Sequence, residues 1–285
     1  MATILDTLKK GTEYLLKHEV DDARLNMEHL IAHVLKIDRM QLYLNFDRPL
    51  EEDALESLRH LTKRRSRGEP LQHLLGTVEF CGREFKTDGR ALVPRPETEE
   101  LTAVLASMKW PENVSILDMG CGSGVIGLSL AKALDEQEPT VVLADLSPEA
   151  LSLARDNAAG LGIDDRVAFV ESDLFSAVDD RFDLVVANLP YIPRTEDTSL
   201  SREVQRDPPV ALYGGETGTE IIEEFLRQAE SHLVAGGMTA LEFGIGQAGK
   251  LRLLAEDLGF ENVGIRSDLS GVERFLFASK AGENC

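Results

Sequence analysis

The chain has 285 residues, of which 43% are hydrophobic and 28% charged, with 30 Lys+Arg against 50 Asp+Glu for a formal charge of −20. This is the balance of an ordinary water-soluble protein, and it excludes collagen-like, disordered and disulfide-scaffold classes. No apolar run approaches the roughly 20 residues a membrane helix needs, and the N-terminus turns polar too early for a signal peptide. Acidity also disfavours a surface that grips phosphate backbones, which needs clustered Lys and Arg. The acid is unevenly spread: residues 1–75 carry 12 Lys+Arg and 13 Asp+Glu, whereas the rest carry 18 and 37. Cys81, Cys121 and Cys285 form no CxxC, so neither a disulfide framework nor a metal site is expected, and a reducing cytoplasm is.

The first 66 residues show helical periodicity, with Ile4, Leu5, Leu8, Leu15 and Leu16, then Leu30, Ile31, Val34 and Leu35, then Leu55, Leu58 and Leu61 at three- and four-residue spacing. Lys63, Arg64, Arg65 and Arg67 read as a solvated helix end, since cations suit a helix C-terminus. Val78 and Phe80 face Phe85 across Cys81-Gly82, which predicts a hairpin. Pro94 and Pro96 punctuate a loop before a helix starting near Glu97.

From about residue 114 the pattern becomes alternating α/β. The runs VSILDMG, VVLAD, RVAFV, FDLVVAN, MTALEF, NVGIRSD and RFLFAS read as strands. Helical VIGLSLAKAL, a helix capped by Ser147-Pro148-Glu149, one over Thr219–Leu233, and QAGKLRLLAEDL lie between them. Alternation of this kind predicts a largely parallel sheet with ligand chemistry at the strands' C-terminal ends.

Three strand ends carry that chemistry. The first is Asp118-Met-Gly120-Cys121-Gly122-Ser123-Gly124, where glycines allow a tight strand-to-helix turn and close backbone approach to a ligand. Gly122 to Gly127 also fits the dinucleotide pattern GxGxxG, with Asp145 ending the next strand. That alone leaves a nicotinamide dehydrogenase or a ligand-free turn open. An acid at Asp118 repels pyrophosphate and suits a cation, and the run resembles the S-adenosylmethionine loop of Rossmann-like methyltransferases. In such enzymes Asp145 would accept from both ribose hydroxyls. The second strand end is Ser172-Asp173-Leu174-Phe175, where the resemblance implies an acid receiving the adenine amino group, with Leu174 beside the ring.

The third is Asn188-Leu189-Pro190-Tyr191. Pro190 cannot donate to a ladder and drives Leu189 toward an extended conformation. Asn-x-Pro-Tyr is the signature of methyltransferases acting on nitrogen conjugated to a π-system. An amide nitrogen is a poor nucleophile because its lone pair is delocalised. Two acceptors, the Asn188 oxygen and a backbone carbonyl, can bind its N–H groups and aim the lone pair at a methyl carbon. Tyr191 is expected to offer a flat face to the planar substrate group.

Val93-Pro-Arg-Pro-Glu-Thr-Glu-Glu-Leu101 resembles the segment preceding the catalytic domain of the protein-glutamine N5-methyltransferases that modify peptide chain release factors. The resemblance runs upstream through GEPLQHLLGTVEFCGREFKTD and DDARLNMEHLIAHVLKI, and downstream through PPVALYGGETGTEIIEEFL and LVAGGMTALEFGIGQ. It implies an α/β fold: a Rossmann-like seven-stranded methyltransferase domain over residues 97–285, a hairpin and linker over 75–96, and a helical substrate-recognition domain over 1–74. The implied methyl donor is S-adenosylmethionine, and the implied substrate is the glutamine of a release factor's Gly-Gly-Gln loop. Asp118, Gly120, Cys121, Gly122, Ser123, Gly124, Asp145, Asp173, Leu174 and Asn188 would bind the donor. Asn188, Leu189, Pro190 and Tyr191 would hold the glutamine, with Asn188, Pro190 and Tyr191 catalytic. A cytoplasmic monomer with no metal, no membrane and no direct nucleic-acid contact is expected. The family usually has Pro where this chain has Leu189, and Asn-Leu-Pro-Tyr looks like the version in ribosomal-RNA adenine dimethyltransferases. An N6-adenine methyltransferase acting on rRNA or DNA is therefore the alternative, and a binding module without turnover is a further one.

Overall fold

The structure is a computed structural model that describes residues 2–282, except the side chains of residues 197–199. The chain forms two compact units: one runs up to Thr77 and also takes in Leu200–Arg206, and the other holds Val78–Ser199 and the residues from Asp207 onward.

The first unit contains helices α1 (Ile4–Leu16), α2 (Ala23–Leu35), α3 (Arg39–Leu44), α4 (Glu52–Arg65) and α5 (Leu71–Leu75). Helix α1 opens with a capping box in which Thr3 and Asp6 satisfy each other's backbone N–H groups. Leu8, Leu15, Met27, Leu30, Ile31, Leu42 and Leu58 form its core. In the basic cluster Lys63 and Arg67 are exposed at the helix end, as the sequence suggests, but Arg65 is not. Arg65 is buried, donates to Asn26 Oδ1 at 2.6 Å and pairs with Glu203 at 2.6 Å. Arg206 donates to the Arg67 carbonyl. Beside the local acceptor Glu69, the remote segment Leu200–Arg206 thus supplies Glu203 as an acceptor for Arg65 and Arg206 as a donor to Arg67.

The second unit begins with the hairpin β1 (Thr77–Phe80) and β2 (Arg83–Lys86), turning at Cys81 and Gly82, both at positive φ. Helix α6 (Pro96–Ala106) follows, with Pro96 at its first turn, where a missing N–H costs nothing. Then come β3 (Ser115–Met119), α7 (Val125–Ala133), β4 (Thr140–Asp145), α8 (Pro148–Leu161), β5 (Val167–Glu171) and β6 (Phe182–Ala187). The rest is β7 (Ile192–Pro193), β8 (Tyr213–Gly215), α9 (Glu220–Ala229), β9 (Leu233–Glu242), α10 (Ala248–Asp257), β10 (Glu261–Ser267) and β11 (Glu273–Ser279).

Seven of these strands form one sheet in the order β10-β11-β9-β6-β3-β4-β5. Pairs from β9 to β5 are parallel, and β11 runs antiparallel to both its neighbours. Alternation along each strand feeds two apolar layers. Ile116, Leu184 and Val186 face α6 and α7 residues such as Leu101 and Leu128, while Leu117, Val185 and Leu241 face Phe225 and Leu226 of α9. From β3 the chain winds outward through β4 and β5, then returns to β6 on the other side. This reversal makes the C-terminal ends of β3, β4 and β6 a topological switch point.

Two elements depart from the periodicity. Helix α9 ends at Ala229, short of the expected Leu233, because Leu233 already pairs with Phe182 in the sheet. Strand β9 starts well before MTALEF and passes Gly236, at φ +76°, through a register shift. The short parallel pair β7–β8 has no sequence signature, since its partners are two and three residues long.

Candidate active site

A cavity of about 540 Å³ opens over the C-terminal ends of β3, β4, β5 and β6. Its floor is the turn after β3. Gly120 and Cys121 donate to the Ala144 carbonyl at 2.8 and 3.0 Å, and Gly124 donates to the Cys121 carbonyl at 2.8 Å. Gly120 and Gly122 are both at positive φ, which lets the turn fold this tightly. Gly120, Cys121, Gly122 and Ser123 line the cavity. Gly124 does not; it caps α7 at φ +79°, packed against Leu128, Leu143 and Ala154.

Asp118 is also absent from the cavity wall. Its side chain is fully buried and Oδ2 accepts from Gly127 N–H at 2.8 Å, tying β3 to the first turn of α7. Burial, reinforced by the nearby charge of Asp145, pushes its carboxyl up to about 7. A Cβ on Gly127 would run into Leu143 and Asp118, so that glycine serves helix-to-strand packing. The expected direct contact between Asp118 and a cationic ligand is thus not what this geometry provides.

Asp145, at the end of β4, lines the cavity and accepts from Gly122 N–H and Ser147 N–H, each at 2.8 Å, one on each oxygen. Burial raises its carboxyl above the ordinary range, against the pull of these backbone donors. Each oxygen keeps a second lone-pair site, which suits a pair of vicinal hydroxyls. Past β5, Asp173 and Leu174 line the wall, with Leu174 held at φ +46° by the turn in which Ser172 donates to its carbonyl. The glycine turn, the spare acceptors on Asp145 and the Asp173–Leu174 corner fit a nucleoside-bearing methyl donor such as S-adenosylmethionine.

Asn188, Leu189 and Pro190 line the cavity after β6. The Asn188 amide nitrogen donates to Thr98 Oγ1 at 2.9 Å and to Glu242 Oε2 at 3.1 Å. Thr98 Oγ1 itself donates to Glu242 Oε2 at 2.7 Å, and the Tyr191 hydroxyl donates to Glu242 Oε1 at 3.1 Å. Glu242 ends β9 and is 1% exposed. Burial raises its carboxyl, while the Thr98 and Tyr191 hydrogen bonds oppose the rise. With its nitrogen engaged twice, Asn188 has its oxygen left as the polar atom toward the cavity.

Tyr191 does not line the cavity. Its ring packs into the apolar layer under β6 and β9, and burial and the Glu242 charge push its hydroxyl up. The aromatic ring on the cavity wall is instead Tyr213, with the Arg194 guanidinium 5.9 Å from its centroid.

Sequence reasoning passed over Thr98, Glu242 and Asp207. Asp207, buried, pairs with Arg95 at 2.8 Å and accepts from Val93 N–H at 3.3 Å. The Pro-Arg-Pro-Glu-Thr-Glu run therefore works as scaffold. Arg95 anchors the strap before Pro208, Thr98 reaches Asn188, and Glu99 accepts from Cys81 N–H at 2.7 Å. An acid ending an otherwise apolar strand, as in MTALEF, was the available signal for Glu242. Burial pushes the Cys81 thiol up to about 11 and raises that of Cys121 as well; Cys285 lies outside the described residues. Among the described residues no cluster of three or more His, Cys, Asp or Glu could hold a metal, and no helix is long and apolar enough to cross a membrane.

The model of the PrmC N-terminal domain matches residues 6–76, and that of the methyltransferase small domain matches residues 98–206. The fold is shared with a ribosomal protein L11 methylase from Lactobacillus delbrueckii subsp. bulgaricus (TM-score 0.51, 22% identity, 68% of this chain and 83% of that one). It is also shared with the T. thermophilus 16S rRNA N2 G1207 methyltransferase, solved with AdoMet and guanosine (TM-score 0.53, 20% identity, 72% of this chain and 49% of that one). A release factor glutamine methyltransferase of Geobacter sulfurreducens is 39% identical over 276 residues, covering 96% of this chain and 95% of the relative. One of Deinococcus radiodurans is 38% identical over 278 residues, covering 97% and 98%. At that identity over nearly the whole of both chains, the chain belongs to the family of release factor glutamine methyltransferases.

Proposed function

We propose that the protein methylates the side-chain amide nitrogen of the glutamine in the Gly-Gly-Gln loop of peptide chain release factors, with S-adenosylmethionine as donor. The observation that carries this reading is the orientation of Asn188: its amide nitrogen donates toward the adjoining Thr98 and Glu242 oxygens, so its oxygen is the acceptor offered to the cavity. A substrate amide has two N–H donors. Asn188 Oδ1 takes one and the Leu189 carbonyl takes the other, which turns the nitrogen lone pair toward the glycine turn after β3. The donor, when bound, supplies a methyl group on a sulfonium. Asp145 holds it by hydroxyl groups, Asp173 and Leu174 flank its base, and Pro190 restrains the loop that carries the two acceptors. Tyr213, rather than Tyr191, gives the planar substrate group its aromatic face.

We assign the helical unit to recognition of the release factor's body. We further infer that the enzyme works as a monomer in the cytoplasm and makes no direct contact with nucleic acid, in keeping with its charge of −20. The test is transfer of labelled methyl to a purified release factor. Label should appear on the native factor and vanish when the Gly-Gly-Gln glutamine is replaced. Strong labelling of the replaced factor, or labelling of rRNA or DNA with none on release factors, would sink the reading.

A further inference from the structure

Glu242 accepts from every hydrogen-bond donor around it: the Thr98 hydroxyl at 2.7 Å, the Asn188 amide at 3.1 Å and the Tyr191 hydroxyl at 3.1 Å. An ionised carboxylate accepts on both oxygens and donates nothing, and so satisfies all three at once. Thr98 completes the arrangement, because its oxygen accepts from the Asn188 nitrogen while its hydrogen goes to Glu242. A primary amide has two nearly isosteric orientations. The one observed is selected because the reverse would point the Asn188 oxygen at a carboxylate and its nitrogen at the cavity. Glu97 and Arg274 are the other charged groups that act on Glu242, and Arg274 pairs with Asp268 at 3.5 Å.

Resting on the proposed glutamine methylation, we propose that Glu242, together with Thr98, is the positioning residue that fixes Asn188 in the orientation accepting the substrate amide, and that its buried negative charge acts on the transferred methyl's new nitrogen through Asn188. The substrate nitrogen takes the methyl with its own lone pair and the carbon–sulfur pair stays on sulfur as a thioether, so positive charge moves toward Asn188 Oδ1 until that nitrogen gives up one N–H proton to water. The carboxylate behind Asn188 polarises that amide, making its oxygen a stronger acceptor for the charge that develops. The fixed orientation also spares the reaction from turning Asn188 before each transfer. Glu242 touches neither reactant.

Glu242→Gln keeps shape and volume but brings an NH₂ group into a ring of donors. With its oxygen at the Oε2 position the glutamine still accepts from Thr98 and Asn188, and its nitrogen donates to the Tyr191 hydroxyl, so the variant removes the charge behind Asn188. The expected result is a fall in kcat of about 10²-fold, with KM for the release factor and calorimetric affinity for S-adenosylmethionine changed less than threefold. Thr98→Val, which removes the other partner of Asn188 and one of the hydrogen bonds that hold the Glu242 carboxyl down, should show the same split at smaller size. The decisive measurement is a double-mutant cycle: in an Asn188→Ala background, Glu242→Gln should have no further effect on kcat, because the residue through which it acts is gone.

A multiplicative fall in the double variant would overturn the proposal, as would a Glu242→Gln enzyme with native kcat. If Glu242→Gln were to lose donor affinity or its cooperative melt, the cycle of Thr98→Val with Asn188→Ala decides in its place by the same criterion. Failure of the underlying reading looks different: the native enzyme would not label a release factor, or Asn188→Ala would keep full activity.

Discussion

Gly120 and Leu189, at the ends of two different strands, share one volume: a Cβ on Gly120 would lie 2.8 Å from Leu189 Cδ2. The glycine turn after β3 and the Asn188–Tyr191 loop after β6 are therefore cut to each other, and Leu189 packs into the space the glycine leaves. Gly120→Ala adds this clash to the strain of a side chain at φ +67°. It should destabilise by about 2–3 kcal/mol and weaken donor binding. Leu189→Ala, which empties a buried site, should cost about 3 kcal/mol. The double variant should lose distinctly less than the sum, since the second change relieves the first. Urea midpoints of the four proteins check this, and strict additivity would refute the shared-volume account.

The Arg95–Asp207 pair anchors the strap whose Pro208, Val210 and Ala211 line the cavity. Asp207 is buried, so removing Arg95 takes away a cation that compensates a carboxylate inside the protein. Arg95→Ala should lower stability by about 3 kcal/mol and raise KM for the release factor. Arg95→Lys should restore charge but not the planar fork, recovering only part. A KM unchanged in Arg95→Ala would disconnect the strap from substrate binding.

Asp118 gives a pH signature of definite sign. Its carboxyl is pushed from the ordinary 3.8 up to about 7 by burial. The folded protein therefore holds a proton that the unfolded chain has already lost, and this group's contribution to stability falls as pH rises from about 4 to about 7. Asp118→Asn keeps an oxygen for Gly127 N–H and cannot ionise. Its stability relative to the native protein should rise over that window by up to about 1.4 kcal/mol per pH unit and level off above pH 7. Denaturation midpoints measured from pH 4 to 8 test this, and a pH-independent difference would count against it.

Two tyrosines near the site should separate cleanly. Tyr213→Ala removes a ring from the cavity wall and should raise KM for the release factor about tenfold, near 1.4 kcal/mol. Tyr191→Phe keeps the packed ring and removes only the donor to Glu242, so it should lower kcat a few-fold with KM unmoved. Steady-state kinetics of both variants, with the opposite pattern as the contrary outcome, decide which ring meets substrate.

The acidic excess beyond residue 75, 18 Lys+Arg against 37 Asp+Glu, predicts electrostatic steering of a substrate that must itself contact ribosomal RNA and so carries basic surface. The association rate should fall roughly tenfold or more between about 0.01 and 0.15 M salt. A salt-independent rate in stopped-flow mixing would leave the acidity a matter of solubility.

The sheet was readable because each strand announces itself locally: VSILDMG, VVLAD and FDLVVAN are apolar runs long enough for two-sided burial, and Ser147-Pro148 marks a helix start. The glycine turn and Asn188-Leu189-Pro190 were equally readable, because turn geometry and proline act within a few residues. Elements whose partners lie far along the chain were not. Nothing around Tyr213 hints at a strand, because its strand partner is the two-residue β7. Nothing around Arg65 hints at burial, because Glu203 is supplied by a segment more than a hundred residues away.

By itself, then, the sequence determined which strand ends line the cavity and which backbone turns they make, since periodicity, capping and turn preference are short-range effects. Only the tertiary structure decided which way the side chains at those ends face. It turned Asp118 into the α7 junction and Tyr191 toward Glu242, put Tyr213 on the wall, and fixed the Asn188 amide through Thr98 and Glu242. Past the last ladder bond a side chain's direction is no longer set by strand alternation. It is set by buried polar groups that must find partners, and those partners come from α6 and β9, which no local pattern could connect to residue 188.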